Sequence, residues 1–363
     1  MRVKLKDITK FSKGTQINGK NLIDDGAYSY LNGGINPSGK WNEFNVAENT
    51  VTISEGGNSS GYVNYMNEAF WCGAHCYYLY DGPKNSKYLY YALKSQQERL
   101  FRIRSGACMP NIKKSDLGNF IIEYEEDETR QEEVVKVLEK CELLIEDYNK
   151  KLALLDEAVR ARFVEMFGDP NYNPKGYKKD IIKDHIDLLS GYPFKSENYV
   201  DSGINICGGL VIMPQKIKWE ECVHWKSAIG YENYLLNNND IVMALDRPWI
   251  SEGFKIAKVD SKHLPALLIQ RTVRIRAIDM NQDYLYYCFI CGGFNKHCNV
   301  TGSLVPHISS KDIKSFEVML PPLELQNQFA SFVEEIDKSR SRIQKSLEAS
   351  QELFDSLMQE YFG

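Results

Sequence analysis

Residues 88–122 of this 363-residue chain recur 196 positions later, without a gap, across two separate motifs. The first copy reads Tyr88-Leu89-Tyr90-Tyr91, then Gly106, Pro110, Ile112, Asp116-Leu117 and Phe120; the second reads Tyr284-Leu285-Tyr286-Tyr287, then Gly302, Pro306, Ile308, Asp312-Ile313 and Phe316. One offset held through two motifs marks an internal duplication, so two versions of one module stand in tandem. Their front edges agree at an offset of 177, where Lys6-Asp7, Gly14 and Gly26 fall on Lys183-Asp184, Gly191 and Gly203. The second module therefore carries nineteen extra residues, 196 minus 177.

Each module runs into a long helical segment, ending in Met166-Phe167-Gly168 and in Tyr361-Phe362-Gly363. In the first, Val134, Leu138, Cys141, Ile145, Tyr148, Leu152, Leu155 and Val159 alternate at spacings of four and three, the 3.5-residue period of a coiled-coil seam, with no Pro or Gly between them. In the second, Ile336, Ile343, Leu347, Phe354, Leu357 and Tyr361 keep the alternation, with Arg340 and Ser350 at the polar seam positions. Two unrelated amphipathic surface helices would show similar periods. Equal length and equal placement after the same module favour a matched pair.

With 43% apolar residues the chain can bury two cores. Its net charge of −5 argues, taken whole, against a nucleic-acid partner. The distribution reverses that impression. Residues 1–122 hold 15 Lys/Arg against 10 Asp/Glu and residues 169–322 hold 18 against 17, whereas 123–168 hold 7 against 14 and 323–363 hold 4 against 8. The acid sits on the helices, whose exposed faces suit solvent or protein partners better than phosphate. No stretch approaches the ~18 apolar residues of a membrane span, and residues 1–14 lack a signal-peptide run, so the expected location is cytoplasmic, with no membrane partner. Nine irregularly spaced cysteines fit reduced thiols there. Cys288, Cys291, His297 and Cys298 have metal-ligand chemistry, but the first copy puts Ala92, Gln96, Arg102 and Ile103 near the equivalent places, so the shared fold needs no metal.

Catalytic motifs fail on inspection. Gly34-Ile35-Asn36-Pro37-Ser38-Gly39-Lys40 has phosphate-loop spacing, yet Trp41 replaces the Ser/Thr that would hold magnesium, and a loop is the better reading. Asp169-Pro170-Asn171-Tyr172 is one residue from an amino-methyltransferase motif, but it follows Gly168 and precedes Asn173-Pro174 and Gly176, as a linker would. No Gly-rich cofactor loop follows an apolar strand, and the six histidines have no matching Ser or Cys constellation. The expectation is no catalytic residue, no cofactor and no metal.

Two variable modules each followed by a helix, with Leu320-Pro321-Pro322-Leu323-Glu324-Leu325-Gln326-Asn327-Gln328 leading into the second, resemble the specificity subunit of type I restriction-modification systems over essentially the whole chain. Asn239-Asp240-Ile241-Val242-Met243, Arg247-Pro248-Trp249 and Leu268-Ile269-Gln270-Arg271 are similar to that family too. The first helix departs from it: Tyr124-Glu125-Glu126-Asp127-Glu128-Thr129-Arg130-Gln131 lacks the Pro-Pro entry, leaving its start open by several residues. The resemblance implies an α+β chain with a pseudo-two-fold internal repeat. Target recognition domains at 1–128 and 169–322 would be separated by antiparallel coiled-coil helices at 129–168 and 323–363. It also implies double-stranded DNA as target, each module reading half of a split sequence, with two methyltransferase subunits and motor-nuclease restriction subunits as partners.

A reader of base edges needs donors and acceptors on loops, with cations for phosphates. Turn-rich stretches of the first module offer Lys13, Gln16, Asn32, Lys40, Trp41, Asn58, Arg104, Asn111 and Lys113; those of the second offer Lys195, Arg247, Trp249, Lys255, Arg271, Ser303 and His307. Each is also an ordinary surface residue type. Arg247 and Trp249 stand out, because an indole between Pro248 and the Ser251-Glu252-Gly253 turn can stack or wedge. Tyr88, Tyr90 and Tyr91 recur in both modules, which suits core packing better than reading different half-sites. A methyltransferase with its own target domain, or a coiled-coil scaffold with protein-binding modules, are the alternatives. Binding of S-adenosylmethionine would single out the first, and absence of salt-dependent DNA affinity the second.

Overall fold

A computed structural model describes residues 1–106, 108–298 and 307–363; Gly302, Ser303 and Pro306 lie outside the described residues. The chain divides into two compact units, 1–150 with 343–363 and 151–342.

In the first unit an antiparallel sheet has the order Lys10–Lys13, Cys76–Tyr80, Thr50–Ser54, Val63–Met66. Alternation along the strand sends Val51 and Ile53 to one face, against the Tyr88-Leu89-Tyr90-Tyr91 helix, Ser86–Lys94. Cys76 and Tyr78, on the other face, pack with Leu31, Phe70 and Cys72 of a three-stranded sheet, Gly39–Trp41, Tyr28–Leu31, Phe70–Cys72. One pair of that small sheet is antiparallel and the other parallel. Arg2–Lys4 pairs with Ile121–Glu123 and ties the module's two ends together.

The second unit repeats every one of these pairings. Its four-stranded order is Ile186–Ser190, Thr272–Ala277, Ile241–Ala244, Ile256–Lys258, and its three-stranded order is Val223–Trp225, Ile204–Cys207, Ala266–Leu268. The closing pair is Lys179–Ile181 with Glu317–Met319. Ile241 and Met243 face the helix Gln282–Cys291, while Val242 faces the small sheet, so a strand covered on both sides reads as a continuous apolar run.

Strand register locates the extra residues. The offset is 176 between Leu31 and Cys207, 184 between Trp41 and Trp225, 190 between Ile53 and Met243, and 196 between Tyr77 and Val273. It is 193 between Val63 and Ile256, so growth is spread over four connections. Two of them carry short hairpins, Ile212–Met213 with Lys216–Ile217 and Trp249–Ile250 with Gly253–Phe254. The repeated glycines have a steric cause: a Cβ on Gly14 would overlap the Cys72 carbonyl, and one on Gly191 would overlap the Ile269 carbonyl.

The long helices run from Glu128 to Phe167 and from Leu323 to Phe362, 40 residues each, or about 60 Å at 1.5 Å per residue. The first starts without Pro-Pro because Asp127 caps it, accepting from Thr129 N at 2.9 Å. Buried Gln131 and Gln326 sit at matching places, donating to the carbonyls of Glu125 and Pro321. Each compact unit combines one module with parts of both long helices. A lone helix has no core, so each helix end joins a module. In the first unit Val134, Val135 and Leu138 pack with Phe354, Leu357, Met358, Tyr361 and Phe362. In the second, Val159, Phe163 and Phe167 pack with Leu325, Phe329, Val333 and Ile336. The start of one helix thus lies beside the end of the other in both units, an antiparallel pairing. Val134, Leu138, Cys141 and Val159 are buried; Ile145, Tyr148, Leu152, Leu155, Ile336, Ile343, Leu347, Phe354, Leu357 and Tyr361 are half-buried. Among the described residues no helix is long and apolar enough to cross a membrane.

Candidate nucleic-acid interface

In the first module four loops converge beyond one end of the large sheet. Backbone bridges tie Asn111 to Gly56 and to Ser105, and Glu55 N donates to the His75 carbonyl at 2.8 Å. This brings together five of the expected residues. Lys13 pairs with Glu55 at 2.7 Å and shares a cleft with Asn111 and Lys113. Arg104 is threaded beside Asn58, donating to its carbonyl at 3.3 Å and to Phe101 O at 2.7 Å. Asn32 holds the neighbouring turn, its side-chain oxygen accepting from His75 N at 3.3 Å.

The second module builds its counterpart around Asp246. Arg271 donates to one carboxylate oxygen at 2.7 Å and His307 approaches the other at 2.7 Å. The Asp246–His307 bridge occupies the place of Gly56–Asn111, and Leu245 N donates to Arg271 O as Glu55 N does to His75 O. Burial alone would raise the Asp246 carboxyl, but the hydrogen bonds from His307 and Arg271 outweigh it and hold the group below its usual range. Arg247 (φ +45°) and Arg271 (φ +63°) both have left-handed backbones, which cost a non-glycine residue roughly 1–2 kcal/mol. The surrounding bridges hold them in those conformations. Arg247 is exposed beside the cluster.

The remaining expected residues lie apart from these clusters or play other parts. Gln16 is exposed and its amide donates to Ile17 O, and Lys40 is exposed on an edge strand of the small sheet. Trp41 meets Trp71 edge-on at 6.3 Å, and its buried Nε1 has no protein partner. Lys195 is exposed near Glu197, at 3.9 Å. Trp249 does not stand free in a loop: it stacks on Phe254 at 5.1 Å across a hairpin and packs on the main core. Lys255 is a correction. It is buried, and its ammonium donates to the Gly209 carbonyl instead of reaching solvent. Burial, with the Arg247 charge adding to it, pulls that ammonium below the usual lysine range. Ser303 lies outside the described residues.

Sequence reasoning missed the two acids, Glu55 and Asp246, and missed His75. An offset of 196 places His75 on Arg271 and Asn111 on His307, and that alignment could have singled out both pairs. Among the described residues no group of three His, Cys, Asp or Glu side chains is placed to hold a metal. His297 instead contacts the Asp312 carbonyl at 3.0 Å, and Cys288 and Cys298 are buried.

What the arrangement can do is present donors, cations and one acceptor from a rigid rim. Arg and His reach guanine or phosphate oxygens, and a carboxylate accepts from the cytosine amino group.

A family model described as the type I restriction modification DNA specificity domain matches residues 1–156 and 179–351. A putative type I specificity subunit from Mycoplasma pneumoniae is 36% identical over 149 residues, 40% of this chain and 40% of that protein. The specificity subunit of the type I restriction enzyme MjaVIII from Methanocaldococcus jannaschii is 26% identical over 284 residues, 71% of this chain and 67% of that one. The match therefore spans less than half of the Mycoplasma relative's length. Among solved structures, the S subunit of a type I restriction-modification system from M. genitalium superposes with a TM-score of 0.65 over 100% of this chain and 96% of that chain, at 19% identity, a likeness of fold.

Proposed function

The chain belongs to the family of type I restriction-modification DNA specificity domains, and from that premise we propose that it binds double-stranded DNA at a split target, each module reading one half. The observation that carries this reading is the recurrence, at the same place in two modules, of a loop cluster combining cations with a carboxylate: Lys13, Glu55, Asn58, Arg104, Asn111 and Lys113 in one, Asp246, Arg247, Arg271 and His307 in the other. The helices would set the spacing of the halves. Their acidic outer faces, unsuited to phosphate, would dock two methyltransferase subunits, and motor-nuclease subunits would join that complex. The chain itself would carry no chemistry, so alone it neither methylates nor cleaves DNA. Acting on chromosomal and incoming DNA, it would work in the cytoplasm.

The test is methylation mapping in cells expressing the chain with its methyltransferase subunit. A bipartite motif with an unread gap is expected, and deleting this chain should abolish it. A continuous motif, or methylation that persists without the chain, would overturn the reading. Purified chain should also bind duplex DNA with an affinity that falls steeply as salt rises.

A further inference from the structure

Beside each loop cluster the chain makes a glycine turn whose carbonyl is clamped by a side chain and whose tip is a solvent-facing aliphatic residue. In the second module the strand Ile204–Cys207 leads into Gly208-Gly209-Leu210. Buried Lys255 donates to the Gly209 carbonyl, while its own backbone N donates to Pro248 O at 2.7 Å. The turn is thereby fixed to the segment that carries Asp246 and Arg247. Leu210 is left 89% exposed. In the first module the corresponding strand, Tyr28–Leu31, leads into Asn32-Gly33-Gly34-Ile35. Here Ser54 and Ser59 donate to the Gly33 carbonyl, two residues past the strand just as Gly209 is. A Cβ on Gly33 would overlap the His75 carbonyl, which places this turn on the Glu55 cluster. Ile35 is 50% exposed.

The two clamps use different chemistry for one geometric result, a side-chain clamp on the same carbonyl. A single exposed aliphatic side chain is ordinary on a surface, but these two share a place, each at the tip of a turn whose carbonyl a side chain clamps beside a loop cluster. Resting on the reading that the modules bind DNA, we infer that Leu210 and Ile35 are specificity residues that contact the 5-methyl group of thymine in the major groove. The alternative on DNA is a wedge driven between bases from the minor groove. A carboxylate at the centre of each cluster favours the major groove, which offers it amino donors from two bases, cytosine N4 and adenine N6, where the minor groove offers only guanine N2. Arg, carboxylate and aliphatic tip together then cover guanine, cytosine and thymine.

The experiment uses the full chain assembled with its methyltransferase partner and the split target found by methylation mapping. Each thymine of the half-site read by the second module is replaced in turn by deoxyuridine, which removes only the methyl group. At one position the wild type should lose roughly four-fold in affinity, the worth of one buried methyl. Leu210→Ala should bind the thymine target about as weakly as the wild type binds the uracil one, and should be indifferent to the replacement. Ile35→Ala should do the same for the other half-site only. Because both side chains are exposed, neither variant should disturb folding. If every deoxyuridine duplex binds wild type and Leu210→Ala with the same ratio, or if the half-site contains no thymine on either strand, the methyl contact is wrong although the split-target reading stands. Enhanced 2-aminopurine fluorescence beside the tip, lost in Leu210→Ala, would replace it with the wedge. Failure to find any split target would instead remove the underlying reading.

Discussion

Phe163 and Tyr284 stack with ring centroids 5.7 Å apart and planes 14° from parallel. Phe163 lies near the end of the helix that follows the first module, yet its partner opens the Tyr-Leu-Tyr-Tyr helix of the second. The mirror relation holds in the first unit, where Tyr88 meets Phe362 at 5.2 Å. Each module is thus seated on the end of the helix that follows the other. The repeated tyrosines are anchors of that seating, which is why they recur while the loop residues differ.

Truncating such an anchor should be severe. Tyr284 is fully buried and its hydroxyl donates to Met319 O at 2.9 Å. Tyr284→Ala should cost about 3–5 kcal/mol by cavity formation, and Tyr284→Phe about 1 kcal/mol for the lost hydrogen bond. Urea denaturation would measure both. A Tyr284→Ala protein as stable as wild type would show that the module is held elsewhere.

The Asp246 carboxyl is held below its usual range by His307 and Arg271 against an opposing burial effect. A carboxyl with a depressed folded-state pKa contributes stability above its unfolded value of about 3.9 and loses it as pH falls through the folded value. Asp246→Asn should therefore lower the urea midpoint at neutral pH. The gap from wild type should narrow only in acid, below about pH 4. A gap that is constant down to pH 2 would mean the ion pair is not its source.

Arg271 and Lys255 should separate cleanly in DNA binding. If Arg271 reads a base, Arg271→Ala should cost about 1–3 kcal/mol of specific affinity; if it touches phosphate, the salt slope should fall by about one. Lys255→Met should destabilise the fold and leave the salt slope unchanged, because its ammonium is committed to Gly209. Equal slopes for wild type and Arg271→Ala, with equal affinity, would move Arg271 out of the interface.

If the paired helices set the distance between half-sites, lengthening both should lengthen the unread gap. Four residues inserted after Leu152 and four after Ile343 add about 6 Å at 1.5 Å per residue, close to two base pairs at about 3.4 Å each. The insertion nearly keeps the seam in phase. Methylation mapping should then return both half-sites unchanged with a gap one or two base pairs longer. Altered half-sites with the original gap would contradict the helices' role as spacer.

Much of this chain was legible from its residues alone. A duplication at offset 196 implied two copies of one fold, and the sheets obey it strand for strand. The four-three spacing from Val134 to Val159 marked a helix seam, because a period of 3.5 residues is a local property that any partner must respect. Five of the nine candidates in the first module gather at one cluster, and three of the described candidates do so in the second. Periodicity and composition say which face is apolar and which loops are polar. They do not say what a face meets. That Phe362 seats Tyr88, that Lys255 points inward to clamp Gly209, and that Glu55 and Asp246 organise the cations around them were decided by the tertiary structure. Each depends on residues tens to hundreds of positions apart being brought within a few ångströms. Side-chain chemistry is written locally, but the choice among many chemically acceptable partners is made only when the whole core closes.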